Sequence, residues 1–134
     1  MPGSRSPPPL QQMFESFAPM GPYIVTRDEI PDPMQLRIRT RVNGEVRQDG
    51  NTRDMIWPIP RLVAYLSQMR LDTGDIISTG SPAGTGLGRK KGEPPWWLNE
   101  GDVLESEIEG IGTLRNRVLA DSGPPPSWDW PDQR

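Results

Sequence analysis

Leu36, Ile38, Thr40 and Val42 alternate with Arg37, Arg39 and Arg41, one apolar or small side chain to each charged one. A period of two puts the two sets on opposite faces, so this stretch predicts a strand with one buried and one wet face. The arginine row has two readings, an anion-binding row or a solvated face, and the solvated face is the commoner origin of such a pattern. Asn43-Gly44 follows at once, and Asn-Gly beside an alternating segment is a strong hairpin signal. Val46 and Gln48 then belong to the returning strand. Further on, Leu62, Leu66 and Met69 share one helical face, and Pro60 is tolerated in a first helical turn, so a helix is predicted to start near Ile59. Asp72-Thr73-Gly74-Asp75 makes the turn out of it, and Ile76 and Ile77 predict a short strand running into Ser78 and Thr79. A second strand pair is predicted over 103–109 and 113–118, around Gly110-Ile111-Gly112. Glu105, Glu107 and Glu109 fall on one face of it. Spaced carboxylates can bind a metal, but their alternation beside Val103, Leu104 and Ile108 suits a solvated face better. Hairpins plus a single helix predict an α+β body, mainly β.

Composition narrows this picture. The chain has 134 residues, one ordinary domain or a piece of a larger one. Only 33% of it is hydrophobic, so the core is expected to be small. Prolines number 17 and glycines 14, and the proline excess is concentrated at the two ends, which predicts a proline-rich disordered stretch over 1–13 and a Pro/Trp-rich tail over 122–134. Trp128 and Trp130 in that tail suit either a docking motif or a loosely attached end, and the loose end is the reading preferred. Residues 85–100 carry Gly, Pro, Lys and Trp and predict a long loop. The net charge is −3 with both signs interspersed. No basic stripe is available to neutralise phosphates, which argues against nucleic acid as a partner. Cysteine is absent, so there is neither a disulfide framework nor thiol chemistry. No apolar run approaches a membrane span and no signal segment opens the sequence, so the expectation is a soluble cytoplasmic protein without a membrane partner.

The candidate chemistry sits in Asp75-Ile76-Ile77-Ser78-Thr79-Gly80-Ser81-Pro82-Ala83-Gly84. An apolar run ends there in hydroxyls, glycines and a proline. Gly80 and Gly84 let the backbone take unusual angles and approach a ligand closely. Backbone N–H groups around such a turn can form an anion-binding concavity, and the Ser81 hydroxyl can donate to a carboxylate. Thr79, Gly80 and Ser81 are therefore the candidate substrate-binding residues. The plain alternative, a sharp turn after a buried strand, is the commoner use of such a Gly-Ser-Pro cluster and the reading the residues alone prefer.

Three segments in order resemble the C-terminal part of the fumarylacetoacetate hydrolase family. These are Asn43-Gly44-Glu45-Val46-Arg47-Gln48-Asp49-Gly50 with its continuation to Trp57, the Thr79-Gly80-Ser81-Pro82 stretch, and Gly101-Asp102-Val103-Leu104 with its continuation to Asn116. The opening Phe14-Glu15-Ser16-Phe17-Ala18-Pro19-Met20-Gly21-Pro22-Tyr23 resembles the same family. The likeness runs from about residue 14 to 118 and marks 14–121 as a partial catalytic domain.

This resemblance implies a mixed β-roll or sandwich with one helix beside it. It also implies a metal-dependent hydrolase or lyase of small oxo-acids, working by way of a metal-stabilised enolate. Magnesium or manganese is the implied cofactor, and such hard cations take several oxygen ligands. The family's acidic ligands precede the segment that begins here at Phe14, yet residues 1–13 contain no Asp, Glu or His. The metal-binding half is therefore expected to be missing, with no metal held by this chain alone. The family lysine falls on Gln12, which carries no charge, while Ser81 keeps the hydroxyl of the family threonine. Thr79, Gly80, Pro82 and Gly84 match the family motif. The implied state is a truncated domain, inactive in isolation, that forms a homo-oligomer such as a dimer or is completed by another chain. The alternative is a non-catalytic remnant or a binding module that keeps the fold.

Overall fold

A computed structural model describes residues 16–86 and 97–120. The expectations for 1–13, for Gln12, Phe14 and Glu15, for residues 87–96 of the loop and for the tail at 122–134 lie outside the described residues. Four strands form one sheet: β1 (Arg37–Val42), β2 (Glu45–Asn51), β3 (Val103–Ile108) and β4 (Gly112–Arg117). Their order across the sheet is β2-β1-β3-β4, and every pairing is antiparallel. A 3₁₀ turn (Thr52–Asp54) follows β2, and one helix, α1 (Ile59–Leu66), lies between β2 and β3 in sequence. The described body is mainly β, as the alternation predicts.

Both tight turns follow from residues that accept positive φ. Asn43 and Gly44 sit at φ 51° and 81°, the pair of left-handed residues that a two-residue hairpin with the native strand twist requires. The tip of this hairpin is tied to the start of β3. Asn43 Nδ2 donates to Asp102 Oδ1 at 2.7 Å, and Val103 N donates to Asn43 Oδ1 at 2.9 Å. Gly110 (φ 76°) turns β3 into β4. Between β1 and β2 the register slips at Thr40/Arg41, so that Thr40 faces Gln48 while Arg41 faces Val46. Arg47 is the extra residue of a β-bulge. Such a bulge re-aims the side chains beyond it.

The sheet divides cleanly by face. Ile38, Thr40 and Val42 of β1 stand opposite Ile108, Ser106 and Leu104 of β3, which gives a largely apolar face. Arg39 and Arg41 stand opposite Glu107 and Glu105, which gives a charged one. On that face Arg37 holds Asp49 through two hydrogen bonds of 2.8 and 2.7 Å, Arg41 pairs with Glu107 at 2.8 Å and Arg115 with Glu105 at 3.4 Å. The arginine row thus forms a charged face, exposed at Arg37 and half-buried at Arg39 and Arg41, with its charges balanced across the strands.

The apolar face is only part-covered: Ile38, Leu104, Ile108 and Leu114 are half-buried, and large apolar side chains off the sheet stay exposed. Val42, at 8% exposure, is the sole buried hydrophobic side chain among the described residues. Ile24 is 97% exposed, Ile56 89% and Leu119 75%. Thr52 is the buried polar residue, and it is satisfied, since Leu36 N donates to its Oγ1 and its own N donates to Leu36 O, both at 2.9 Å. Helix α1 starts at Ile59 with Pro60 in its first turn, as predicted. Ile59, Leu62 and Leu66 form its less exposed side. Met69 lies beyond the helix and is exposed; after Ser67 the chain tightens, with Gln68 N donating to Tyr65 O at 3.3 Å and Met69 N to Leu66 O at 2.9 Å. Eight residues is too short a helix to hold itself in water. The described contacts supporting it are slight: the Arg61 guanidinium stacks over the Trp57 ring at 3.7 Å, and Ile59 N donates to Met34 Sδ at 3.5 Å.

One predicted element does not form. Residues 75–79 carry no regular secondary structure and belong to no ladder. Their β-type residues have no described strand edge beside them to pair with, and Ile76 stays exposed. High strand propensity makes a strand only where a partner supplies hydrogen bonds.

Candidate functional site

The turn at Asp72-Thr73-Gly74-Asp75 forms as its sequence implies. Asp75 N donates to Asp72 O at 3.1 Å, Asp72 N donates to Asp75 Oδ2 at 2.8 Å, and Gly74 takes φ 99°. The chain then runs without regular secondary structure to Gly80 (φ 96°) and bends at Ala83 just before Gly84 (φ 99°). Thr79, Gly80 and Ser81 are all exposed. Among the described residues, none forms a hydrogen bond with their N–H groups or hydroxyls. They are a short run of unspent donors held between two left-handed glycines.

What fixes this run is the bulged strand β2. Gln48 Nε2 donates to Pro82 O at 2.9 Å. Gly50 leaves room for the proline ring, since a β-carbon there would stand 3.0 Å from Pro82 Cβ. A β-carbon on Gly84 would overlap the Arg47 carbonyl oxygen outright. The three residues after Ser81 are therefore laid against β2 on the apolar face of the sheet. A cavity of about 140 Å³ opens beside them, lined among others by Gln48, Gly84, Gly86, Trp97 and Leu104. Sequence reading placed Gln48 merely in the returning strand. Its role is signalled by Gly50 two residues on, which leaves that face of β2 without a side chain where Pro82 packs.

The acidic residues are committed elsewhere. Glu107 binds Arg41, Glu105 binds Arg115, and Glu109 Oε2 accepts from Arg37 N at 3.1 Å. Hydrogen bonding from Arg37 pulls the Asp49 carboxyl down to about 2. Arg41 likewise lowers Glu107, and the Asn99 N–H, followed by the Asn43 side chain, lowers Asp102. Among the described residues no group of three or more His, Cys, Asp or Glu is placed to hold a metal ion. The described residues do not fit the divalent cation that the resemblance implies. A second cavity, of about 430 Å³, lies on the charged face between Arg37, Arg39, Glu107 and Gly112, and its arginines are already paired with carboxylates. Gln12 lies outside the described residues.

Residues 2–119 match the family described as fumarylacetoacetate (FAA) hydrolase C-terminal. Human mitochondrial oxaloacetate tautomerase FAHD2A is 44% identical over 111 residues, 82% of this chain and 34% of that protein. Among solved structures, a fumarylacetoacetate hydrolase from Exiguobacterium antarcticum superposes with a TM-score of 0.75 at 46% identity, over 81% of this chain and 38% of that one. A maleylpyruvate hydrolase from Sphingobium sp. SYK-6, in complex with manganese(II) and pyruvate, gives 0.69 at 36% identity over 79% and 37%. The chain spans about a third of the length of the curated relatives it matches. With a family match over residues 2–119 and a TM-score of 0.75 at 46% identity with a solved member, this chain belongs to the fumarylacetoacetate hydrolase family.

Proposed function

We propose that this chain supplies the scaffold and one wall of the pocket of a metal-dependent enzyme acting on small oxo-acids. The observation that carries the reading is the turn at 79–84: exposed Thr79, Gly80 and Ser81, with unspent donors, anchored to β2 by a glycine and a glutamine. Donors fixed before substrate arrives stabilise negative charge without reorganising. The Ser81 hydroxyl and the neighbouring N–H groups would bind the carboxylate or the enolate oxygen of the oxo-acid. The cation, magnesium or manganese, would polarise the oxo group as a Lewis acid. Its ligands would come from residues beyond those described or from another chain. The reaction class, hydrolysis, hydration, isomerisation or decarboxylation, would be chosen by groups on the opposite wall. Relatives named as tautomerase and hydrolase support the substrate class, and the manganese and pyruvate complex supports the cofactor class.

The test is calorimetric titration with manganese and then pyruvate. One sample is the chain alone. The other is a hybrid in which the segment preceding the matched region in the Exiguobacterium relative is joined to this chain. The hybrid is expected to bind both, and the chain alone neither at micromolar concentration. A folded hybrid that binds manganese but no pyruvate would refute the pocket wall. A second reading, a non-catalytic module that keeps the fold, draws on the acidic residues already engaged in ion pairs. A folded hybrid that binds neither probe would favour it.

A further inference from the structure

Gln48 and Pro82 are 34 residues apart in sequence, yet the bond between them is the hydrogen bond that ties the 79–84 turn to the sheet. The bulge decides that Gln48 can make it. With Arg47 as the extra residue, Gln48 faces Thr40 on the apolar side while Asp49 faces Arg39 on the charged side. Were Arg47 paired in regular register instead, Gln48 would stand opposite Arg39 and Asp49 opposite Ile38, each on the wrong face, because the side-chain period of a strand is two. The bulge thus serves two purposes at once: it aims an amide donor at Pro82 O and keeps Asp49 beside Arg37 and Arg39. Gly50 and Gly84 complete the seat by allowing the backbone of the turn to close on β2. Nothing else among the described hydrogen bonds holds residues 79–84.

We infer that Gln48 is a positioning residue: its amide fixes Pro82, and through the adjoining peptide it sets where the Ser81 hydroxyl and the Gly80 and Ser81 N–H groups point. The assignment rests on the turn being a wall of the oxo-acid pocket. Gln48 itself acts on Pro82 and not on substrate.

Gln48→Glu keeps the size of the side chain and removes the donor, while Gln48→Lys keeps a donor at similar reach. In the full chain, amide resonances of Gly80, Ser81 and Gly84 are expected to shift in Gln48→Glu at neutral pH. Their backbone order parameters should fall, since the turn loses the hydrogen bond that ties Pro82 to β2. Amides of β1 and β3 should hold their positions, and Gln48→Lys should recover most of the difference. In the hybrid, pyruvate affinity should fall about tenfold in Gln48→Glu while manganese affinity is unchanged, a split that general unfolding cannot produce. Unmoved Gly80 and Ser81 resonances in Gln48→Glu would overturn the inference, as would a change spread evenly over β1 and β3 in both variants. If the wild-type hybrid ignores pyruvate while Gly80 and Ser81 still respond to Gln48→Glu, the pocket reading fails and the Gln48 anchor stands.

Discussion

Gly84 takes φ 99° directly above the Arg47 carbonyl, with no room for a β-carbon. Gly84→Ala therefore meets both backbone strain and a backbone collision, and a loss of about 1–3 kcal/mol of stability is expected from the strain alone. Urea unfolding checks this. An alanine variant as stable as the parent would mean that the turn does not lie on β2. Asp49 allows a test by pH. Its carboxyl is lowered from the usual 3.8 to about 2, first by the hydrogen bond from Arg37. A depressed folded value means the stabilisation is complete above the unfolded value and fades as pH falls through the folded one. The parent chain should lose this contribution between about pH 4 and pH 2, and Asp49→Asn should flatten that part of the acid transition. A carboxyl-carbon titration of Asp49 by NMR with a midpoint near the ordinary value would show the pair with Arg37 to be absent in solution. The glycine positions of the turn were legible, because Gly80 and Gly84 take the left-handed backbone that their residue type accepts. The anchor of the turn was not: no local pattern links Gln48 to a carbonyl 34 residues away.

Among the elements, β1 and β3 are the inner strands of the sheet, flanked on both sides by hydrogen-bonded neighbours. Their amides are expected to exchange most slowly, ahead of those of β2 and β4, with α1 and residues 75–86 fastest. Hydrogen exchange read by NMR checks this, and equal protection of α1 and β1 would mean that the helix packs on a surface not described here. Both hairpins could be read from sequence, since period-two alternation and the Asn43-Gly44 pair speak for themselves. The bulge at Arg47 could not, because Val46 and Gln48 give no apolar cue to the phase of β2. The strand expected at 75–79 failed for a different reason. Ile76 and Ile77 carry strand propensity, but a strand is a property of two chain segments, and sequence patterning describes only one.

For the whole molecule, the decisive fact is a sheet whose apolar face buries one hydrophobic side chain among the described residues. Large exposed apolar patches mark interfaces or aggregation, and the outer edges of β2 and β4 carry backbone groups open to pairing. The isolated chain is expected to associate, with a weight-average mass that rises with concentration in analytical ultracentrifugation. A cooperatively folding monomer at high concentration would mean that its own remaining residues close the core. The low hydrophobic content made a small core legible beforehand. How little is covered became visible only once the faces of the sheet were assigned. In the proposed function this chain brings the Ser81 wall to an oxo-acid site and the cation is held elsewhere. The most direct measurement is turnover of a small oxo-acid such as oxaloacetate, with manganese, by the hybrid and by its Ser81→Ala variant. The account predicts turnover by the hybrid, none by the chain alone, and a drop of about 100-fold on removing the Ser81 donor. Equal rates with and without the Ser81 hydroxyl, or turnover by the chain alone, would contradict it.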